Sequence, residues 1–155
     1  MNIPLDANIL TRMAQPGHVH HLVAIDAVNA LVLRGDTPCL FPQALYEFWV
    51  VATRPIALNG LGFTTNQAAA ELSRLKALFP LLQDSPAIYP EWERLVTVHQ
   101  VVGKYAHDAR IVAAMTIHGL THVLTFNTND FTRYPGITAL DPTVVASPPS
   151  TTTGS

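Results

Sequence analysis

Four places in the chain put acid-type side chains where chemistry could use them: Asp6, Glu47, Asp108, and the pair Asn127 and Asp130. Asp6 ends a short apolar run that begins at the first residue, M-N-I-P-L. In an open parallel α/β sheet, functional groups collect at the carboxyl ends of the strands. Asp is also a common helix N-cap, so Asp6 alone is equally well read as a cap. Asp108 has a similar plain reading, because a carboxylate in a first helical turn gains roughly 0.3–1 kcal/mol from the helix dipole. Glu47 is harder to dismiss. It interrupts an almost wholly apolar helix, A-L-Y-E-F-W-V-V, and is therefore either on a thin solvated stripe or paired with something.

Three carboxylates within about 4 Å of one another repel by on the order of 4 kcal/mol per pair at an effective dielectric near 20. Either one takes up a proton or a cation sits among them. A set of oxygen ligands without thiolate selects a hard ion such as Mg²⁺ or Mn²⁺. Mg²⁺ keeps several waters and is commonly held by one or two carboxylates plus a substrate phosphate. That combination suits phosphodiester hydrolysis, in which the metal activates water and neutralises charge on the phosphate. Arg12, Arg110 and Arg133 lie near the proposed acids and are the best-placed phosphate contacts. Asn8 is read as a support for the loop around Asp6.

The elements that must position these groups follow from the apolar pattern. Strands are expected at 2–5, 37–41, 122–126 and 137–140, with a short candidate at Leu81-Leu82. Helices are expected at 8–13, 18–34, 43–53, 66–79, 90–102 and 106–118, punctuated by Gly35, Arg54-Pro55, Pro80, Gly103 and Gly119. Thr65 or Asn66 is the expected cap of the fourth helix. This order predicts an α/β/α sandwich around a mostly parallel sheet, with a helical arm from the helix-rich middle. One domain is expected over 1–146, and a flexible Pro/Ser/Thr tail over 147–155.

The bulk numbers exclude several classes. At 155 residues, 48% hydrophobic and 13% charged, the chain is globular rather than disordered. The net charge of -2 leaves no broad basic footprint for nucleic acid, though a local arginine cluster would suffice. Arg supplies seven of the nine basic residues, the better side chain for bidentate phosphate contacts. One cysteine, Cys39, forbids an internal disulfide and fits a reducing compartment. With no apolar run of membrane-spanning length and no signal peptide, a cytoplasmic address without membrane contact is expected. His18, His20 and His21 do not share a helical face well and have no Cys beside them, so they read as a surface helix start rather than a metal cluster. His107 reads as a local surface group. Tyr46, Phe48, Trp49 and Trp92 read as core or interface aromatics rather than base-stacking platforms.

Together, L-D-A-N-I-L at 5–10, the lone helical Glu47, H-D-A-R-I-V-A-A at 107–114 and L-T-F-N-T-N-D-F-T-R-Y-P-G-I at 124–137 resemble the PIN-domain family. The similarity is greatest to bacterial VapC-type toxins of type II toxin–antitoxin pairs. The resemblance implies that Asp6, Glu47 and Asp108 are metal-binding acids. The further Asp or Asn of the final loop falls on Asn127, with Asp130 the next candidate. The Ser or Thr frequent in the family after the second strand is replaced here by Pro42-Gln43. The resemblance also implies a homodimer that cleaves RNA with Mg²⁺ or Mn²⁺, leaves a 5′-phosphate, and is restrained by a small antitoxin. The helices of 43–79, with that of 18–33, are then the expected dimer and antitoxin surfaces. Two rivals are a catalytically silent PIN module that binds protein or RNA, and a metal-dependent phosphatase. The second would need an acid two residues after Asp6, where Asn8 stands.

Overall fold

The computed structural model describes residues 1–147. Of the tail expected at 147–155, all but Ser147 lies outside the described residues. The chain runs β1 (Asn2–Pro4), α1 (Ala7–Met13), α2 (His21–Leu33), β2 (Thr37–Cys39), α3 (Pro42–Thr53), α4 (Thr65–Leu78), α5 (Ile88–Val98), α6 (Tyr105–His118), β3 (His122–Leu124), β4 (Thr138–Leu140) and α7 (Pro142–Ala146). Short 3₁₀ turns lie at Ile56–Leu58 and Thr128–Phe131.

All strand pairs are parallel. β1 pairs with β2 and β3 with β4, and a bridge between Leu5 and Leu124 joins the two pairs. Leu81 adds one further rung beside Leu40. The spatial order is thus Leu81, β2, β1, β3, β4. Alternation along the strands sorts side chains to two faces. Ile3, Leu5, Leu40 and Leu124 join α1, α2 and α3 in one core, with Phe48 and Leu31 fully buried there. Phe41 and Val123 face the other side, where Ile111–Met115 of α6 and Leu95 of α5 enclose them. The helices cover both faces, as near-continuously apolar parallel strands require. α4 packs on α3, and α5 on α6.

Several boundaries differ from expectation. α2 starts at His21, not His18, because the His18 Nδ1 accepts the His20 N–H at 3.0 Å and holds that stretch in a turn. Its buried stripe is Ala24, Ala27, Val28 and Leu31, whereas Val19 and Leu22 are exposed. α4 is capped by Thr64 rather than Thr65 or Asn66. The Thr64 Oγ1 accepts from Gln67 N and the Gln67 side chain accepts from Thr64 N, a reciprocal capping box. α5 ends at Val98, four residues early, and Gln100 adopts a left-handed φ of 51° before Gly103. On α6 the buried positions are Ala109 and Ile111–Met115, while Thr116 and Ile117 are exposed. α7 was not expected. Its signal is Asp141-Pro142: the Asp side chain caps Thr143 N at 2.8 Å and Pro occupies the first helical position.

Candidate active site

The topology puts every proposed acid on one edge. Asp6, Thr125 and Pro42 leave the carboxyl ends of parallel β1, β3 and β2. α3 follows β2 and so begins at that edge, carrying Glu47 in its second turn. α6 runs into the amino end of β3, so its first turn, with Asp108, also stands at the carboxyl edge. The 3₁₀ turn after β3 brings Asp130.

Asp6 is only 7% exposed. It is both the N-cap of α1 and a site acid, so the two readings of this residue coexist. One oxygen accepts Ala7 N at 2.8 Å, and the other accepts the Thr125 hydroxyl at 2.8 Å. Burial, opposed by the Thr125 bond and reinforced by repulsion from Glu47 and Asp130, raises its pKa to about 6. Asp108 is half-buried, and its pKa rises to about 7 through burial and then repulsion from Asp6, Asp130 and Glu47. Arg133 opposes that rise. Asp6 and Asp108 therefore both sit in the field of Glu47 and Asp130.

Asn127 is neutral and adds no charge to that set. It is exposed, and its backbone N–H donates to Thr125 Oγ1 at 3.0 Å. Asp130 is the acid of the final loop that acts on Asp6 and Asp108.

Thr125, which sequence reasoning passed over, is fully buried and joins the two loops. Its Oγ1 donates to Asp6 and accepts from Asn8 Nδ2 at 3.2 Å and Asn127 N at 3.0 Å. Asn8 completes the ring by accepting Phe126 N at 3.2 Å. Its supporting role thus extends to the far loop. A hydroxyl one residue beyond a parallel strand was the available signal.

Gln43, the residue at the Ser/Thr departure, is 6% exposed and holds Glu47. Its amide donates to Glu47 Oε1 at 3.0 Å and to His107 O at 2.7 Å, and its carbonyl accepts Arg110 Nη1 at 3.1 Å. Arg110 also pairs with Asp84 at 3.0 Å. Arg110 is thereby committed to protein partners. Arg133 packs over the Tyr105 ring near Asp108, and Arg12 donates to Gln15 at 2.9 Å.

Of the histidines, His21 contacts Arg12 O at 2.9 Å, and His107 is exposed. Trp92 donates its indole N–H to Ala106 O at 2.8 Å, a packing role that ties α5 to the start of α6. Burial pushes the Cys39 thiol up to about 12, so it behaves as a small apolar group.

Among the described residues no three His, Cys, Asp or Glu side chains converge closely enough to hold an ion as they stand. The donor chemistry still fits one. The set is all oxygen, two of its carboxyls resist ionisation through burial first and neighbouring carboxylates second, and Mg²⁺ needs only one or two protein carboxylates.

A fold with parallel strands, helices on both faces and acids at the strand ends is the PIN architecture. The PIN domain family model matches residues 3–137, and the chain belongs to that family. Solved structures of toxin–antitoxin systems share the fold. A chain of VapBC2 from Rickettsia felis, bound to a promoter DNA fragment, aligns with a TM-score of 0.67 at 14% identity, covering 90% of this chain and 98% of that one. A toxin–antitoxin complex from Klebsiella pneumoniae aligns at 0.62 and 22% identity, covering 90% and 97%. VapC20 of Mycobacterium tuberculosis, a toxin that cleaves the sarcin–ricin loop, aligns at 0.57 and 18% identity, covering 78% and 86%. No curated protein matches the sequence significantly.

Proposed function

We propose that the protein is a metal-dependent endoribonuclease and the toxin of a toxin–antitoxin pair. The observation that carries this reading is the gathering of Asp6, Glu47, Asp108 and Asp130 at one strand edge, where burial first and like charge second raise the pKa of Asp6 and Asp108. Carboxylates are kept in such a field where a cation is to relieve it. Asp6, Asp108 and Glu47 would hold Mg²⁺ or Mn²⁺, which when bound supplies an acidified water and neutralises phosphate charge. Thr125 fixes one Asp6 oxygen and leaves the carboxylate aimed by two bonds. Gln43 fixes Glu47 in the same way. Arg133, beside Asp108, is the arginine best placed to meet a substrate phosphate at the acids.

The partner reading rests on exposed apolar surface. Tyr46 and Val50 on α3, and Val19, Leu22 and Leu33 on or beside α2, are all more than half exposed. A cleft of about 460 Å³ between α3 and α4 is lined by Leu45, Tyr46, Trp49 and Leu72. Such faces suit a homodimer contact and a cognate antitoxin segment. Among the described residues no helix is long and apolar enough to cross a membrane. A cytoplasmic location fits an RNA substrate.

The test is cleavage of a mixed RNA panel with Mn²⁺ or Mg²⁺ by wild type, Asp6→Asn and Asp108→Asn. Cutting by wild type alone supports the reading. Equal cutting by all three points to a contaminant and ends it. An inert wild type that still captures its antitoxin favours a silent binding module instead.

A further inference from the structure

Beside the acids, on the other flank of Glu47 from Gln43, lies a second concavity of about 290 Å³. It is lined by Asn8, Arg12, Glu47, Arg54 and Asn59 among others. Two half-buried arginines share its wall. Neither lies within 4 Å of a carboxylate oxygen among the described residues, although Glu47 lines the same cleft. By contrast Arg74, Arg94 and Arg110 are each paired with an acid.

The wall is built rather than incidental. After α3 the chain turns sharply at Arg54-Pro55 and doubles back. Gly60 N donates to Pro55 O at 3.0 Å, Gly62 N to Arg54 O at 2.9 Å, Leu61 N to Val51 O at 3.0 Å, and Phe63 N to Ala52 O at 2.8 Å. Gly60 is buried so tightly under this turn that a Cβ would stand 1.9 Å from Arg54 O. Asn59 precedes it with a left-handed φ of 64°. The main chain alone locks the loop, so the Arg54 side chain is not needed for it.

We infer that this cleft is a phosphate subsite for single-stranded RNA. It would seat, on the Arg12 and Arg54 guanidiniums, a backbone phosphate adjoining the one placed at the acids. The inference rests on the ribonuclease reading and extends it to a substrate path. Glu47 is the shared wall, so a strand leaving the acids on that side enters the cleft directly. Two guanidiniums without a protein anion match phosphodiester oxygens, and the Asn59 carboxamide offers a donor and an acceptor to sugar or base edges. The net charge of -2 makes such local pairing the route by which this chain holds a polyanion.

The experiment measures binding of a fluorescent 12-nucleotide single-stranded RNA to the full chain in EDTA, where no cleavage occurs, over a series of salt concentrations. Wild type is compared with Arg54→Ala, Arg12→Ala, Arg54→Lys and the distant Arg74→Ala. Each phosphate contact contributes about 0.7 to the slope of log affinity against log salt. Arg54→Ala and Arg12→Ala should each lower the slope by about that amount and weaken binding about fivefold at 0.1 M salt. Arg54→Lys should keep most of the slope, and Arg74→Ala all of it. Unchanged slopes for both alanine variants, or an equal loss with Arg74→Ala, overturn the subsite, as does absence of RNA binding by wild type. A polyglutamate peptide that displaces RNA at equal charge concentration overturns it in favour of an acidic protein segment. Cleavage in Mn²⁺ is scored separately. RNA cut by wild type with slopes unmoved sinks the subsite alone. RNA bound with the expected slopes yet never cut sinks the nuclease reading alone.

Discussion

The Thr125 hydroxyl donates to Asp6 Oδ2 at 2.8 Å, joining residues 119 positions apart in the chain. The same oxygen accepts from Asn8 and from Asn127 N, so three polar groups depend on one buried side chain. Thr125→Val keeps the shape and removes all three bonds. Buried donors left without acceptors cost about 1–3 kcal/mol each when not reached by water, so a fall in stability on that order is expected. Asp6 also loses a bond that favours its ionised form, so the acidic limb of the pH–rate profile should move upward. Thr125→Ser should restore both the limb and the stability. A Thr125→Val profile that overlays wild type removes this role.

Asp130 and Asn127 compete for the fourth position of the site. Asp130 carries a charge that acts on both Asp6 and Asp108, while Asn127 is neutral and exposed. Asp130→Asn should therefore reduce RNA cleavage on the order of tenfold or more, a loss within the range of other electrostatic deletions at active sites. Asn127→Ala should change it less than about threefold, since the part of Asn127 that matters is its backbone N–H. Cleavage rates on one RNA at saturating Mn²⁺ decide this, and the reverse ranking would restore Asn127.

Much of this edge was legible in the sequence because period and punctuation place strands and helices, and a parallel sheet then gathers their ends. Asp6, Glu47 and Asp108 are named from that placement together with the family resemblance. The final loop did not resolve by the same logic. Between Asn127 and Asp130 the chain makes a 3₁₀ turn, and a polar stretch of Thr, Asn and Asp carries no period to say which side chain faces inward. Gln43 and Arg110 were read singly, one as a departure from a family pattern and the other as a phosphate contact. Their meaning lies in a chain of bonds from Asp84 to Glu47 that spans separate elements. Long-range side-chain bonds of that kind leave no local pattern. Arg54 was overlooked for another reason, since it read only as the stop of α3.

The metal-free protein should lose stability as pH rises. Asp6 and Asp108 have folded-state pKa values of about 6 and about 7, both above the ordinary 3.8. The folded state thus holds these protons more tightly than the unfolded chain does. The contribution is fully present below about pH 4 and is lost as pH climbs through 6 and 7. In EDTA the thermal midpoint should drop on the order of 5 °C between pH 5 and pH 8 from these groups. Mn²⁺ should raise the midpoint at pH 8 and do little at pH 5, where protons already occupy the acids. Asp108→Asn should flatten the EDTA curve. A midpoint that rises steadily from pH 5 to pH 8 in EDTA contradicts the burial and like-charge crowding that raise these two acids.

Gln43 couples the helix that carries Glu47 to the one that carries Asp108, because its amide reaches both Glu47 Oε1 and His107 O. Arg110 clamps the other end of that amide and is itself held by Asp84. This makes Gln43 a positioning residue, and Arg110 is expected to support it rather than to contact phosphate. Gln43→Ala should weaken Mn²⁺ binding, measured calorimetrically, and lower kcat more than it raises KM for RNA. Both effects follow from a Glu47 free to turn away from its neighbours. Arg110→Ala should reproduce a milder form of the same defect, with no change in the salt slope of RNA binding. Arg133→Ala, beside Asp108 and the phosphate, should instead reduce that slope. If Arg110→Ala lowers the salt slope as Arg133→Ala does, Arg110 contacts substrate after all and the Gln43 clamp is incidental.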